Sequence, residues 1–170
     1  MPKRIENVKE QLLAEARRQI ARQGYGKTTV RSVAAACGIA VGTVYNYFAS
    51  KDALIAAFMV DDWRRVLAEL AACDVADKQA FLERVYTALR QFADAHAALF
   101  TDAAAEKVYA AAGPGRHGML RDQLADLLAP VCRPAEDPAF AARFLAEAML
   151  TWTMAGVPFA TLYTVCKNLI

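Results

Sequence analysis

The chain has 170 residues, 56% of them hydrophobic, with 20 Lys/Arg against 18 Asp/Glu and a formal net charge of +2. That length suits one to two small domains with a real core. No apolar run approaches the roughly 20 residues that span a bilayer, and the opening "MPKRIENVKEQLL" is amphipathic and carries acids, so a cytoplasmic protein without a membrane segment is expected.

Residues 1–52 hold nine Lys/Arg against four acids, a net +5, whereas the remainder holds 11 against 14, a net −3. A basic leading module on an acidic body is the electrostatic footprint of a polyanion-binding head. Over 5–23, Ile5, Val8, Leu12, Leu13, Ala16 and Ile20 recur at three- and four-residue spacing, which predicts an amphipathic helix. It should stop at "QGYGK", where Gly24 and Gly26 tolerate positive φ. In "TTVRSVAAACG", Thr29 is placed to cap a second helix with Val30, Val33 and Ala34 on its inner face. Gly38 ends that helix after about two turns. "IAVGTVYNYF" reads as a third short helix with Val44 and Phe48 on one face, although its Val, Thr and Tyr content also suits a strand. Ser50 caps a fourth helix that runs to about Cys73 and joins head to body.

The body continues in the same manner. Phe81, Val85, Leu89 and Phe92 are in helical register in "DKQAFLERVYTALRQFADAH". "AALFTDAAAEKVYAAAG" predicts a helix stopped by Gly113-Pro114, and "GMLRDQLADLLAPV" another broken at Pro130. Asp137 as N-cap and Pro138 at the first helical position open "DPAFAARFLAEAMLTWTMAG". "VPFATLYTVCKNLI" suits helix or strand and is taken as helix. Ile170 closes the sequence inside this apolar segment without a polar tail. The expected class is therefore all-α, about nine helices, with a three-helix head at 1–50 and a helical body at 51–170.

Two short helices separated by "CGIA", the second polar and aromatic, match a helix-turn-helix. Its second helix would enter a major groove. Val41 and Thr43 can offer methyls to thymine, and Gly42 removes a side chain where backbone approaches. Tyr45, Tyr47 and Lys51 can hold phosphates, Thr29 marks a helix N-terminus suited to an anion, and Asn46 could reach either base or phosphate. Arg31 reads as a base or phosphate contact, or else as a solvated charge. Val44 and Phe48 belong to the core of the head instead.

Residues 9–58, with "GYGKTTVRSVA", "ACGIAVGT" and "VYNYFASKDAL" at their spacing, resemble the DNA-binding head of the tetracycline-repressor (TetR) family. Beyond the head the resemblance lies in helical character and length alone. It implies DNA contacts at Thr29, Arg31, Val41, Gly42, Thr43, Tyr45, Asn46, Tyr47 and Lys51. It also implies a homodimer built through the C-terminal helices, double-stranded operator DNA as partner, and a body that binds a small apolar or amphipathic effector. Ser32 stands where the family often has an acid that completes a capping box, so a weaker cap is expected there.

In the body, Trp63, Phe92, His96, Phe100, Tyr109, Met149 and Trp152 combine apolar bulk with a few polar atoms, as an effector pocket would; the same residues also fit an ordinary core. "FLAEAMLTWTMAGVPFATLY" is too apolar for a solvated outer helix and suits a subunit interface. Cys37, Cys73, Cys132 and Cys166 lie far apart with no CxxC pair, and His96 and His117 fall short of a metal set. No metal or cofactor is expected. Paired acids at a defined motif, a Gly-rich phosphate loop and a nucleophile motif are also missing, which argues against an enzyme. The expectation is a repressor released from its operator by an effector; the alternative is a DNA-bound interaction or architectural protein without one.

Overall fold

The computed structural model describes residues 7–100, 102, 105 and 115–170, the side chain of Arg116 excepted. Ile5, Tyr109 and the Gly113-Pro114 stop lie outside the described residues. Among those described there are nine α-helices and no strand: α1 Val8–Lys27, α2 Val30–Ala36, α3 Val41–Tyr47, α4 Lys51–Ala71, α5 Lys78–Ala95, α6 Ala97–Phe100, α7 Gly115–Leu128, α8 Pro138–Met154 and α9 Phe159–Cys166. A 3-10 turn, Ala129–Val131, follows α7 where Pro130 ends α-helical bonding. No helix among the described residues is long and apolar enough to cross a membrane.

The chain divides into two compact units, Met1–Asp62 with Ala95–Ala111, and Trp63–Asp94 with Ala112–Ile170. The first has its own core. Leu12, Leu13, Ala16 and Ile20 from α1 meet Val30, Val33 and Ala34 from α2, Val44 and Phe48 at α3, and Leu54, Ile55 and Phe58 from α4. Leu99 of α6 and Ala105 complete it. The apolar stripe of α1 is the one read from the spacing. Its end is less simple. Gly24 breaks the helix with φ 79° and ψ 174°, and one further turn follows to Lys27. Gly26 does not take positive φ.

In the second unit, Phe81, Leu82, Val85, Leu89 and Phe92 form the buried face of α5. Leu124, Ala125 and Leu128 do the same for α7, and Ala142, Leu145, Ala146, Met149 and Leu150 for α8. Asp137 caps α8, its Oδ1 accepting from the Phe140 N–H at 2.8 Å, with Pro138 in the first turn. Gly156, at φ 81°, closes the other end as the Val157 N–H returns to the Trp152 carbonyl at 3.0 Å. The last segment is helical, and Arg133 ties it down, donating through its backbone N–H to the Leu169 carbonyl at 2.8 Å and through Nε to the Ile170 carbonyl at 2.6 Å.

The turn between α2 and α3 repeats the Gly156 motif. Gly38 sits at φ 66°, its N–H bonds the Ala35 carbonyl, and the Ile39 N–H reaches back to Ala34 at 2.9 Å. Ile39 is buried just beyond it, so both the orphan carbonyls and the apolar contact of that motif are present. A Cβ at Gly38 meets no neighbour within 4 Å, so the cost of Gly38→Ala is conformational: about 1–2 kcal/mol for the left-handed backbone. Denaturant unfolding should show that loss, and an unchanged midpoint would refute it.

Candidate nucleic-acid interface

The site is built from α2, the Gly38 turn and α3. Thr29 precedes α2 with extended backbone, and its Oγ1 accepts from the Ser32 N–H at 3.0 Å. Ser32 Oγ accepts in return from the Thr29 N–H at 3.0 Å, so a serine completes the capping box. The weaker cap expected from the missing acid is compensated by a second partner. Gln19, a polar residue only 4% exposed on the inner face of α1, approaches Ser32 Oγ with its Oε1 at 2.6 Å and donates from Nε2 to the Ser32 carbonyl at 3.1 Å. Gln19 Nε2 also reaches Glu15 Oε1 at 2.7 Å, and Glu15 holds Arg18 through two bonds of 2.6 and 2.8 Å. Polar groups buried at a helix crossing must be paired, and here the pairing fixes how α2 sits on α1.

That network was missed from the sequence. Its signal was present, since Gln19 falls three residues after Ala16 on the buried stripe of α1.

Helix α3 has two faces. Val44 is fully buried and Phe48 nearly so, while Tyr45 and Tyr47 are about half exposed and Gly42 and Asn46 are exposed. Val41 packs partly against the core and Thr43 is half-buried, so both project less than the tyrosines. Thr29 and Arg31 are exposed at the start of α2. Lys51 differs from the rest. It is half-buried, donates from Nζ to the Tyr25 carbonyl at 3.1 Å, and lies 3.5 Å above the Tyr25 ring. Burial pulls its pKa down, against a smaller opposing effect of Asp52.

The residues singled out in the body fall in both compact units, and Tyr109 lies outside the described residues. Trp63 and Phe92 meet edge to face at 5.5 Å between ring centres, and Trp63 Nε1 donates to Gln123 Oε1 at 2.8 Å. Met149 is buried in the same unit, and Trp152 is exposed. His96 belongs to the other unit, where it is 2% exposed, stacks on Phe58 and places Nε2 3.1 Å from Asp62 Oδ2. Asp62 also accepts from Arg17 Nε at 2.9 Å and Nη2 at 2.6 Å. Phe100, exposed, lies with its ring centre 6.4 Å from that of His96. Thr153 is fully buried, and its Oγ1 is the buried side-chain polar atom without a partner among the described residues. No cluster of three or more His, Cys, Asp or Glu among the described residues could hold a metal ion.

Glu15 offers a direct check on the α1–α2 network. Hydrogen bonding by Arg18, then by Gln19, holds its carboxyl below the usual 4.5 against the opposing effect of burial. A depressed folded pKa contributes stability that is present above the unfolded value and lost as pH falls through the folded one. Glu15→Gln should therefore lower stability near pH 7, and the gap from the parent should close well below 4.5. Denaturant titrations at about pH 7 and about pH 3 test this, and a gap that persists in acid would exclude the assignment.

Residues 12–58 match the sequence model of the family described as "Bacterial regulatory proteins, tetR family". The HTH-type transcriptional repressor Rv1474c of Mycobacterium tuberculosis is 40% identical over 60 residues, which is 35% of this chain and 32% of that protein. The HTH-type transcriptional regulator UidR of Escherichia coli K12 is 35% identical over 57 residues, 34% of this chain and 29% of that protein. The match thus spans about a third of the length of these curated relatives, one named as a transcriptional repressor and the other as a transcriptional regulator. Among solved structures, Salmonella enterica GusR superposes with a TM-score of 0.69 at 20% identity, covering 98% of both chains. A transcriptional regulator from Rhodococcus sp. Rha1 gives 0.58 at 20% identity, over 92% of this chain and 87% of that one. At such identities the likeness extends the shared fold over the body, and the head carries the family's sequence. Residues 12–58 are thus similar in sequence to the bacterial regulatory proteins of the TetR family.

Proposed function

We propose that the chain is a cytoplasmic DNA-binding transcriptional regulator, a repressor that leaves its operator when a small apolar or amphipathic effector binds the body. The observation that carries the reading is the division of α3 into a fastened face, Val44 and Phe48, and a free one, Gly42, Tyr45, Asn46 and Tyr47. A two-turn helix so presented has the size and exposure of a major-groove reader. Gly42 and Thr43, with the methyls of Val41, face base edges; Thr29, Arg31, Tyr45 and Tyr47 hold phosphates, and Asn46 is within reach of both. Repression as the sense of regulation is supported by the name of the mycobacterial relative.

The active form is a homodimer through α8 and α9. Phe140, Phe144, Trp152 and Val165 are each more than half exposed on these helices, a surface that a second copy would cover. Its two α3 helices would then meet half-sites about 34–36 Å apart, or a multiple of that. Effector binding in the body, near Trp63, Phe92 and Met149, biases the dimer toward a spacing that no longer fits, and DNA must weaken the effector to the same degree.

Operator selection from random DNA, repeated with variants, tests the reading. Thr43→Ala should cost about 1 kcal/mol and relax preference at one or two base pairs. Tyr47→Phe should weaken all sequences about equally. Gly42→Ala adds a methyl that meets nothing within 4 Å in the free protein, so the fold should be unharmed while operator binding falls. Identical behaviour of the Thr43 and Tyr47 variants would remove the division between reading and anchoring. Affinity indifferent to sequence and to every candidate effector would favour the architectural alternative.

A further inference from the structure

Threonines inside the helices of the body find partners close at hand. Thr87 Oγ1 donates to the Glu83 carbonyl at 2.8 Å and Thr164 Oγ1 to the Ala160 carbonyl at 2.7 Å, each bonding one turn back along its own helix. Thr151 donates to Glu147 Oε1 at 2.7 Å. Thr153 does none of this. It is fully buried, and its Oγ1 is the buried side-chain polar atom left without a partner among the described residues.

An unpaired buried hydroxyl is costly, and valine would fill the same volume without that cost. The surroundings offer no remedy. Thr153 is the one buried polar residue of the second unit among those described, and every other buried residue of α5 and α8 is apolar. A trapped water needs about two to four polar partners, which such side chains do not supply.

The hydroxyl stands close to where the effector was placed above. Thr153 follows Met149 by one turn on the buried face of α8, and its carbonyl accepts from Arg90 Nη1 at 3.3 Å. That bond sets this end of α8 beside α5 just short of Phe92, whose ring meets Trp63.

We propose that Thr153 is the polar contact of the effector site, and that the effector is an uncharged, mainly apolar molecule whose hydroxyl or carbonyl oxygen pairs with Thr153 Oγ1. This rests on the effector reading above and adds the chemical class of the ligand. A threonine hydroxyl both donates and accepts, so either oxygen suits it. A carboxylate suits it less. Arg90, the cation at this end of α8, already faces Asp94 Oδ1 at 3.0 Å, and an anion buried without its own counter-charge costs far more than a buried alcohol.

Probes matched in their apolar part test the class: 1-decanol, decanoate and decane, with 2-naphthol, 2-naphthoate and naphthalene. Their affinities for the full chain, Thr153→Val and Thr153→Ser are read from thermal unfolding over a probe series, with operator binding measured alongside. In the parent each alcohol should bind more tightly than its carboxylate and weaken operator binding. Thr153→Val should weaken each alcohol about tenfold and leave the hydrocarbons unweakened, whereas Thr153→Ser, which keeps the hydroxyl, should hold the alcohols as the parent does. Without probe, Thr153→Val should melt no lower than the parent and up to about 4 °C higher. A Thr153→Val chain that melts lower, or fails to fold, shows the hydroxyl already satisfied within the protein and overturns the inference. Alcohol binding unchanged in Thr153→Val, or a carboxylate that binds best, also overturns it while leaving the effector reading standing. A parent that no probe stabilises, and whose operator affinity no probe alters, defeats the apolar effector itself and the inference with it.

Discussion

Helix α3 spans seven residues, far below the roughly 12–15 at which an isolated helix becomes even marginally stable in water. Its local sequence, rich in Val, Thr and Tyr, favours extended structure, and Ala40 offers it no side-chain cap. What holds it helical is burial of Val44 and Phe48 among Val33, Ile39, Leu54 and Phe58. At about 1.5–3 kcal/mol for each large apolar side chain removed from water, two such residues outweigh the propensity deficit of a two-turn helix. A strand would also set 44 and 48 on one face but would send Val41 to the opposite one; a helix brings Val41, which packs on the same core, alongside them, so the core selects the conformation and thereby turns Gly42, Tyr45 and Asn46 outward.

The rest of the head serves that packing. Val33 and Ala34 must be delivered at the correct height, which depends on how α2 starts and stops. Its start is held by the Thr29–Ser32 box and by Gln19 from α1; its stop is held by Gly38 in the left-handed region. Below α1, Arg17 reaches Asp62 with two bonds while its guanidinium lies 5.6 Å from the Phe58 ring centre, and His96 stacks on that ring and meets the same carboxylate. Apolar contact supplies the energy of this unit, and these paired polar groups supply its registration. A greasy interface alone tolerates sliding, whereas a buried amide or carboxylate satisfied in one geometry does not.

Most of this was legible where one physical rule decides. Spacing exposed the stripes of α1 and α5, Asp137 and Pro138 announced the start of α8, and Gly38 marked a turn because a left-handed residue was needed between two short apolar helices. What could not be read depended on distant partners. Ser32 looked like a poor substitute for an acid until Gln19, 13 residues away, was seen to join it. The engagement of Lys51 with Tyr25 likewise spans 26 residues. Which compact unit a residue of the body joins was equally illegible: His96 and Phe100 belong to one, and Trp63, Phe92, Met149 and Trp152 to the other.

The two faces of α3 also govern how such a head can change. Tyr45, Asn46 and Tyr47 contribute little burial, so their replacement comes at small cost to folding, as expected of exposed sites. Val41 and Thr43 are different, because each is half-buried and Val41 packs on the core that keeps α3 helical. On the proposed reading, recognition and stability fall on one side chain at those two positions. A new operator preference reached through them must keep a β-branched shape against the core, which confines the accessible substitutions to near-isosteres such as Val, Ile and Thr. On the proposed reading, sequence preference is thus most constrained at the N-terminal end of α3, where the side chains that would face base edges also help to hold the helix.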